Sequence, residues 1–420
     1  MEYGLIGRKL GHSFSKTVHN LIGNYDYELR EIEPENLKEF MTEKDFKAIN
    51  VTIPYKQDVM PFLAEIDPKA KKIGAVNTIV NKNGKLLGYN TDFLGLKSLI
   101  LKNNMDLKGK KVLILGSGGT SKTAFAVAED LSASEVYCLS RKGSAGLITY
   151  EEAYRSHTDA EVIVNTTPCG MYPNIGKSAV DISKFPRLSG VVDAVYNPLN
   201  SQLVVEAKEK GIAAVGGLYM LVAQAVFAAE KFTDSSIPVS EIERVYNKLL
   251  NEKLNLVLIG MPGCGKSTIG RAVAEATGKV FIDSDEEIVK KEGISIPEIF
   301  ARDGETGFRK IESDVIAELS LRQGAVIATG GGAVLNKRNI ELLKGNGKVL
   351  FIDRPIEQLV TTDDRPLSSN RELLQKRYDE RYDIYCSSAD IKLNAVEDLD
   401  TNIKKAIEVF LNENSCNKRT

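Results

Sequence analysis

Short apolar runs alternate along the chain with longer stretches whose apolar positions recur every three or four residues. Apolar runs of this kind are typical of parallel strands covered by helices on both faces, because such strands have no polar face. The alternation therefore predicts an α/β fold with largely parallel sheets. The clearest predicted strands lie within 110–119, 160–168, 190–198, 254–263, 324–332 and 348–355.

The pattern is weakest between about 232 and 253, where a polar, proline-containing run precedes a charged stretch with helical spacing. The chain has 420 residues, and at roughly 100–200 residues per domain this length predicts two to four domains. We therefore expect a domain boundary within this segment.

The composition changes this picture little. A formal net charge of -2 supplies no basic field for nucleic acid or a membrane surface. No apolar run reaches the ~18 residues of a membrane span, and the first residues lack the apolar core of a signal peptide. Five scattered cysteines and three histidines predict neither a disulfide framework nor a zinc site. We expect a cytoplasmic protein without nucleic-acid or membrane partners; the sequence does not indicate its oligomeric state.

The strongest motif runs from Gly260 to Ser267 and fits the pattern G-x-x-x-x-G-K-[ST] between a predicted strand and a predicted helix. The backbone N–H groups of such a loop wrap a phosphate chain, and the helix N-terminus adds a favourable dipole. Lys266 would reach the β and γ phosphates, and Ser267 would bind Mg²⁺. We therefore predict an ATP and Mg²⁺ site that also includes Gly263, Cys264, Gly265 and Thr268.

Polar residues and glycines follow the next predicted strands. Asp283 and Asp285 end one strand, where alternation would point both carboxylates to the same side. Gly330, Gly331 and Gly332 end another strand, and only backbone approaches a ligand there. Three arginines come from a helix-like segment, a polar stretch and the start of a tyrosine-rich run, respectively: Arg309, Arg365 and Arg381.

In this order and spacing, the motifs GMPGCGKST, DSD, GFRKIE, GGG, RPL and RYDIY resemble those of shikimate kinase over about 254–410. The resemblance implies that Asp285 holds the substrate hydroxyl as a base or orienting acceptor. It also implies that Asp283 contacts Mg²⁺ through water. Arg309 and Arg381 would clamp the substrate carboxylate, a role that suits a planar guanidinium fork.

The same resemblance brings the three glycines 330–332 against the substrate ring and Arg365 onto a closing lid that meets the phosphates. The lid segment is short and lacks a basic residue ahead of RPL. This departure bears on lid closure and on ATP affinity.

A second glycine-rich turn lies in the first half of the chain. Gly116, Ser117, Gly118, Gly119 and Thr120 stand between a predicted strand and helix, with serine where G-x-G-x-x-G requires a third glycine. The turn predicts a nucleotide-binding site. At the end of the next strand, where NAD enzymes carry an acidic residue, the chain has Ser140, Arg141 and Lys142. These cations suit a 2′-phosphate and favour NADPH over NADH.

Polar residues that precede and follow this turn form an ordered series: Ser13, Ser15, Thr52, Lys56, Asn77, Asp92, Tyr196, Met220 and Gln224. Such residues also suit loops and helix caps. Taken together and in order, they resemble shikimate dehydrogenase over about 1–235. The departures are Lys16 in place of a common proline, the Ser-Arg-Lys run, and Tyr219 in place of a common glycine near the nicotinamide.

The two resemblances imply an α/β chain with four segments. A substrate domain would occupy 1–95 plus about 216–235, and a Rossmann-like NADP domain 96–215. A linker would follow at 236–253, and a P-loop kinase domain with a parallel sheet at 254–411.

The dehydrogenase resemblance also implies roles. Most of the polar series would bind the polyhydroxy acid: Ser13, Ser15, Thr52, Asn77, Asp92, Tyr196 and Gln224. Met220 would contact the cofactor. Lys56 and Asp92 would form the catalytic pair, because an ammonium group polarises a carbonyl oxygen and supplies its proton. A nearby carboxylate orients the lysine and favours its charged form.

The implied reactions are consecutive: 3-dehydroshikimate is reduced to shikimate with NADPH, and shikimate is phosphorylated by MgATP to shikimate 3-phosphate. Three alternatives remain: a quinate dehydrogenase that uses NAD, a kinase for another small polyol, and a half that binds ligand without turnover. The pairs Lys56 with Asp92 and Lys266 with Asp285 favour catalysis in both halves.

Overall fold

The computed structural model describes residues 1–11, 13–23, 25–144, 146–359 and 371–412. The chain divides into two compact units, Met1–Leu249 and Leu250–Thr420. Within the described ranges, no helix combines the length and the apolar character that crossing a membrane requires.

The first unit contains two sheets. Its strands are β1 Tyr3–Gly7, β2 Tyr27–Glu31, β3 Ala48–Val51, β4 Glu65–Ile66, β5 Thr78–Lys82, β6 Lys85–Tyr89, β7 Lys111–Leu115, β8 Glu135–Leu139, β9 Leu147–Ile148, β10 Val162–Asn165, β11 Gly190–Asp193 and β12 Ala213–Val215. Its helices are α1 Ser15–Ile22, α2 Leu37–Glu43, α3 Pro68–Ile73, α4 Thr91–Lys102, α5 Gly119–Asp130, α6 Tyr150–Ser156, α7 Gln202–Glu209 and α8 Leu218–Thr233.

The first sheet has the strand order β2-β1-β3-β5-β6-β4 and mixes both strand directions. β5 runs antiparallel to β3 and β6. Asn83 and Gly84 connect β5 to β6 with φ of 54° and 83°, the left-handed backbone that a two-residue hairpin turn requires. The other pairings of this sheet are parallel, so the expectation of largely parallel sheets is confirmed, with β5 as an antiparallel strand.

The second sheet has the order β12-β11-β10-β7-β8-β9, and its pairings are parallel. The residues of β10 and β11 are buried throughout, as parallel strands covered on both faces should be. β7 lies between β10 and β8, where the strand order reverses. Ligands of open α/β sheets bind at the carboxyl ends of the strands beside such a reversal.

Helix α8 follows the last strand of the second sheet but returns to the first sheet, where it packs along α4. The closeness of these two helices depends on Gly95 of α4. A Cβ at this position would lie 2.7 Å from the carbonyl oxygen of Met220 and 2.9 Å from Cβ of Gln224. α8 therefore brings residues from late in the unit beside the first sheet.

The charged stretch before the second unit forms helix α9, Ser240–Lys253. Its apolar residues Ile242, Val245 and Leu249 are buried. The segment 236–253 is thus mostly helical, and the division between the two compact units falls within α9.

The second unit is built on one parallel sheet, with the order β14-β15-β13-β16-β17. Its strands are β13 Asn255–Ile259, β14 Val280–Asp283, β15 Ala325–Ala328, β16 Gly347–Asp353 and β17 Ile391–Asn394. Its helices are α10 Lys266–Thr277, α11 Ser284–Glu292, α12 Ile296–Leu319, α13 Lys337–Asn346, α14 Arg371–Ser388 and α15 Leu399–Asn412. Gly304, with φ of 68°, kinks α12 five residues before Arg309.

Candidate active sites

Lys56 and Asp92 form an ion pair in the first unit. The ammonium nitrogen of Lys56 lies 2.5 Å from Oδ2 of Asp92, and the two side chains are 13% and 9% exposed. Lys56 lies in the turn after β3, and Asp92 lies in the first turn of α4, where the helix dipole favours a negative charge. The Asn90 side chain caps this helix by accepting a hydrogen bond from Phe93 N. The cap and the helix therefore hold the carboxylate that pairs with the lysine.

Asn77 connects this pair to α8. Its Oδ1 accepts a hydrogen bond of 2.7 Å from Thr91 N, next to Asp92. Its Nδ2 donates to Thr91 Oγ1 at 3.0 Å and to Gln224 Oε1 at 3.4 Å. Asn77 and Gln224 are both buried. The structure thus brings Asn77, Asp92 and Gln224 together from three separate parts of the chain.

A second polar group lies at the start of α1. Ser13 Oγ donates to Ser15 Oγ at 3.0 Å. The ring of Phe14 lies 5.3 Å from the ring of Tyr196, and Ser13 is a hydrogen-bond partner of the tyrosine. Burial raises the pKa of the Tyr196 phenol, so the hydroxyl remains protonated. Thr52 stands four residues before Lys56, and its methyl group faces Gly7.

The glycine turn after β7 lies directly beside Lys56. Gly116 has φ of 117°, and a Cβ there would lie 2.7 Å from Thr166 Oγ1. A Cβ on Gly119 would lie 3.4 Å from Cβ of Lys56. The surroundings of Gly118 are open to 4 Å, which leaves its backbone accessible to a phosphate. This combination of a tight turn, an open backbone and a helix start fits a dinucleotide.

Ser121 replaces the third glycine of the expected fingerprint. Its hydroxyl donates to Gly118 O at 2.7 Å, and the side chain is 3% exposed. The serine hydroxyl therefore bonds inside the first turn of α5. Ser117 and Gly118 remain exposed.

The residues that are predicted to face the 2′-phosphate follow β8, the parallel neighbour of β7. Arg141 and Lys142 are exposed. The hydroxyl of Ser140 accepts a hydrogen bond from Gly143 N at 3.1 Å, which shapes the turn that carries both cations. Met220 is buried in the first turn of α8.

Tyr219 points toward α9. Its hydroxyl donates to Glu243 Oε1 at 2.9 Å, and Lys102 pairs with the same carboxylate at 2.7 Å. The tyrosine that replaces a common glycine therefore has its hydroxyl anchored on the unit's last helix. No motif in the sequence indicates this contact.

The phosphate-binding loop of the second unit follows β13, the central strand. Gly260, Gly263 and Gly265 have φ of 147°, 80° and 99°, a backbone that side chains rarely adopt. Lys266 Nζ donates to Gly260 O at 2.9 Å and to Met261 O at 3.0 Å, so the lysine lies over its own loop. Cys264 is buried beneath the loop, and Thr268 is exposed on the first turn of α10.

Asp283 connects this loop to the next helix. Ser267 Oγ donates to Asp283 Oδ2 at 2.7 Å. Asp283 Oδ1 accepts from Asp285 N at 3.0 Å and so caps α11. The expectation that strand alternation aligns both carboxylates is wrong: β14 ends at Asp283, and Asp285 lies in the helix. A hydroxyl and carboxylates at the loop are the oxygen ligands that Mg²⁺ prefers, so the side chains fit this cation.

The glycines after β15 pass beside charged side chains. A Cβ on Gly330 would lie 2.6 Å from Asp285 Oδ1 and 3.0 Å from Glu312 Oε1. A Cβ on Gly332 would overlap the guanidinium of Arg309. Arg381 Nη1 donates to Gly331 O at 3.2 Å. The structure therefore gathers Asp285, Arg309, Arg381 and the three glycines into one cluster.

Glu312 is not among the residues predicted for this site. It lies one helical turn after Arg309 in the same GFRKIE run, and its Oε2 accepts from Arg309 Nη1 at 2.8 Å. Glu312 is 1% exposed, and burial raises the pKa of its carboxyl. Its Oε1 is buried, and none of the residues that the structure describes bonds to it. The i,i+3 spacing of opposite charges was the available signal.

Arg365, the predicted lid residue, lies outside the described residues. Helix α14, which follows Arg365 in the chain, carries Arg381 and, one turn earlier, Arg377. Burial lowers the pKa of Arg377 most, and the positive charge of Arg381 lowers it further. The cluster is thus rich in guanidinium groups.

The first unit resembles curated and solved proteins over nearly their full length. Shikimate dehydrogenase (NADP⁺) of Clostridium perfringens is 37% identical over 264 residues, which cover 59% of this chain and 97% of the relative. The chain belongs to the shikimate dehydrogenase family. The family model of the shikimate dehydrogenase substrate-binding domain matches residues 5–79.

Solved members of the dehydrogenase family have the same fold as the first unit. Shikimate dehydrogenase 1 of Peptoclostridium difficile matches with a TM-score of 0.56 and 37% identity, covering 59% of this chain and 98% of the other. The enzyme of Thermus thermophilus, solved with NADP(H) and shikimate, matches with a TM-score of 0.53 and 28% identity, covering 59% and 99%.

The second unit matches a different family. The shikimate kinase model covers residues 262–411, from the phosphate-binding loop through most of α15. The chain therefore joins a member of the shikimate dehydrogenase family to a shikimate kinase domain.

Proposed function

We propose that this chain catalyses two consecutive reactions, the NADPH-dependent reduction of 3-dehydroshikimate and the MgATP-dependent phosphorylation of the shikimate that results. The first reaction is supported above all by the Lys56–Asp92 ion pair, which lies against the glycine turn of a dinucleotide site. The second is supported by the phosphate loop and by the adjoining cluster of Asp285, Arg309 and Arg381.

In the dehydrogenase unit, bound NADPH supplies the hydride that converts the substrate ketone into a secondary alcohol. Lys56 hydrogen-bonds the carbonyl oxygen and gives it a proton as negative charge develops there. Asp92 holds the ammonium group in place from 2.5 Å away and takes part in binding the substrate hydroxyls. In the oxidative direction, the same lysine takes the proton back.

The polyhydroxy acid lies between two groups of side chains. The polar groups of both bind its hydroxyls and carboxylate: Ser13, Ser15, Thr52, Asn77, Tyr196 and Gln224. The hydrogen bonds that already connect Asn77 to Thr91 and Gln224 hold these donors and acceptors in place before substrate arrives. Met220 packs against the cofactor.

NADPH is held by the turn of Gly116, Ser117, Gly118, Gly119 and Thr120. The N-terminus of α5 would hold its pyrophosphate. Ser140, Arg141 and Lys142 meet the 2′-phosphate, whose negative charge two exposed cations attract at little desolvation cost.

In the kinase unit, MgATP supplies the phosphoryl group when it is bound. Gly263, Cys264, Gly265 and Thr268 line the phosphate loop. Lys266, which now bonds its own loop carbonyls, turns toward the β and γ phosphates. Ser267 and Asp283, which already share a hydrogen bond, would hold Mg²⁺, the carboxylate through water.

Shikimate binds to the cluster around the glycines. Asp285 accepts the proton of the attacking hydroxyl or orients it. Arg309 and Arg381 bind the carboxylate, Gly330, Gly331 and Gly332 lie along the ring, and Arg365 acts from the lid. Guanidinium forks bind a planar carboxylate by paired hydrogen bonds, which favours a carboxylate-bearing substrate over a neutral polyol.

The activities correspond to distinct parts of the chain. We assign the substrate domain to 1–95 with about 216–235, the NADP domain to 96–215, the connection to 236–253 and the kinase to 254–411. An enzyme with these substrates and cofactors is expected in the cytoplasm and needs neither nucleic acid nor a membrane as partner.

A two-stage assay on the purified chain tests the proposal. NADPH loss is followed with 3-dehydroshikimate, MgATP is then added, and shikimate 3-phosphate is measured. We expect the ester only after ATP addition. Lys266→Ala should abolish the second stage and leave the first unchanged, with the surface variant Lys290→Ala as the matched control.

Failure of either stage contradicts the corresponding half of the proposal. If NADPH is not consumed, repeating the assay with quinate and NAD distinguishes the alternative dehydrogenase from a binding module. Shikimate and ATP added directly test the kinase on its own.

A further inference from the structure

Asp193, the last residue of β11, is a buried carboxylate that the proposed reaction does not use. Its side chain is inaccessible to solvent. Oδ1 accepts hydrogen bonds from Asn165 Nδ2 and Val195 N, both at 2.9 Å. Oδ2 accepts from the hydroxyl of Ser201 at 2.5 Å. Three neutral donors therefore surround the carboxylate.

No lysine, arginine or histidine forms an ion pair with Asp193 among the described residues. Burial raises the pKa of its carboxyl to about 6, against the hydrogen bonds that favour the charged form. The titratable neighbour is the thiol of Cys169, whose pKa is raised by its own burial and then by Asp193. A buried charge without a counter-ion is a poor source of stability, since apolar or neutral groups serve at least as well. A role in holding the surrounding segments in place would account for the Asp193 carboxylate at this buried position.

Each donor holds a different segment at the carboxyl edge of the second sheet. The bond from Val195 N fixes the turn that immediately precedes Tyr196. Asn165 passes the constraint to the neighbouring loop, because its Oδ1 accepts from Thr167 N at 3.0 Å and from Thr167 Oγ1 at 2.7 Å. Ser201 is the N-cap residue of α7.

These segments border both halves of the proposed dehydrogenase site. Thr166, beside Thr167, lies against Gly116 of the dinucleotide turn. Gly217 N donates to Val195 O at 2.8 Å, which fixes the start of α8, three residues before Met220. On the opposite side, Tyr196 packs on Phe14. One carboxylate thus connects the segment beside the dinucleotide turn to the segment that carries Tyr196.

We propose that Asp193 is a positioning residue of the dehydrogenase, which holds Tyr196 and the start of α8 in the relative geometry that hydride transfer requires. This inference rests on the proposed function of the first unit. Hydride transfer is sensitive to placement, and an error of about 1 Å can lower a rate on the order of 10²-fold.

The test compares Asp193→Asn with wild type in the full-length chain. The amide keeps one accepting oxygen and the side-chain volume, but it turns a donor toward Ser201. We expect kcat for shikimate oxidation to fall roughly tenfold or more while the KM for shikimate changes less, the pattern of an interaction that matters in the transition state. Kinase activity and the thermal unfolding midpoint serve as folding checks. Asp181→Asn is the matched control, because Asp181 makes a similar local cap on the surface.

A double-mutant cycle distinguishes positioning from a general loss of structure. If Asp193 acts through Tyr196, then Tyr196→Phe should lower kcat/KM by roughly tenfold in wild type but less than about threefold in Asp193→Asn, since coupled residues are not additive. Ser201→Ala, which removes one donor and leaves the charge, should give a smaller decrease of the same kind and serves if Asp193→Asn does not fold.

Two results would overturn the inference: unchanged kcat in both Asp193→Asn and Ser201→Ala, or strict additivity with Tyr196→Phe. An inactive wild type would instead refute the proposed function. In that case NADPH affinity, measured by the fluorescence of the nucleotide, provides the independent readout. A matching affinity in wild type and Asp193→Asn would overturn the positioning role, and a roughly tenfold weaker one would support it.

Discussion

The ammonium group of Lys56 lies 2.5 Å from the carboxylate of Asp92, although 36 positions separate the two residues in the chain. The hairpin of β5 and β6 makes this possible, because it returns the chain from β3 to the start of α4 beside the same sheet edge. The pair is nearly enclosed, at 13% and 9% exposure. The ion pair therefore forms only when the unit folds, because neither local segment brings the two side chains together.

Replacing Lys56 by alanine should remove the proton donor and leave the fold in place. We expect kcat of the dehydrogenase to fall by about 10²–10⁴-fold, the usual contribution of a positioned acid or base. Kinase activity of the same molecule should be unchanged. The measurement is steady-state NADPH oxidation, with Lys72→Ala, an exposed lysine of the same unit, as the control. Retention of more than about a tenth of the wild-type rate would refute the catalytic assignment.

Gly330→Ala should impair the kinase selectively. The new methyl group would lie 2.6 Å from Asp285 Oδ1 and 3.0 Å from Glu312 Oε1, closer than carbon and oxygen atoms normally pack. Asp285 must then move, and Glu312, which holds Arg309, is crowded as well. We expect kcat/KM for shikimate to fall by roughly 10–100-fold, equivalent to about 1.4–2.8 kcal/mol.

The KM for ATP, which should stay near its wild-type value, reports whether the second unit of Gly330→Ala folds. The dehydrogenase rate of the same chain reports the amount of intact protein. An equal loss of ATP and shikimate binding would point to general disruption and contradict the specific assignment.

Arg141→Ala should reduce the preference for NADPH. A hydrogen bond to a charged group contributes about 1.5–3 kcal/mol, so kcat/KM for NADPH should fall by roughly 10–100-fold. Turnover with NADH, which lacks the 2′-phosphate, should change little. Arg155→Ala, on an exposed position of α6, is the matched control. The assignment of Arg141 to the 2′-phosphate is wrong if both cofactors lose activity equally.

Asp193 makes the stability of the first unit depend on pH. Its folded-state pKa of about 6 lies above the ordinary value of 3.8, so the folded state binds the proton more tightly than the unfolded state. The stabilisation that this provides is complete below pH 3.8 and is lost as the pH rises through about 6.

Thermal unfolding of wild type and Asp193→Asn at several pH values measures this effect. Other carboxylates titrate in the same range, so the difference between the two proteins is the informative quantity. The variant should gain stability relative to wild type as the pH rises from about 4 to above 6. A difference that stays constant over this range would show that the carboxyl titrates normally.

Much of the fold could be predicted from the sequence, because its signals are local. Buried parallel strands are short and apolar, and a glycine turn between a strand and a helix has its own spacing. The predicted strands that end before Gly116 and Gly260 are present, and Arg309 lies in a helix as expected. The β5–β6 hairpin was missed as an antiparallel element, although Asn83 and Gly84 are the residues such a turn requires.

The sequence by itself determined the two sets of motifs and their order, since backbone conformation and phosphate binding depend on neighbouring residues. Only the tertiary structure decided which side chains meet. It assigned Asp285 to a helix that Asp283 caps, and it paired buried Glu312 with Arg309. It also surrounded Asp193 with donors, including one 28 positions away. These contacts depend on burial, which removes water as the alternative partner and makes each remaining hydrogen bond decisive.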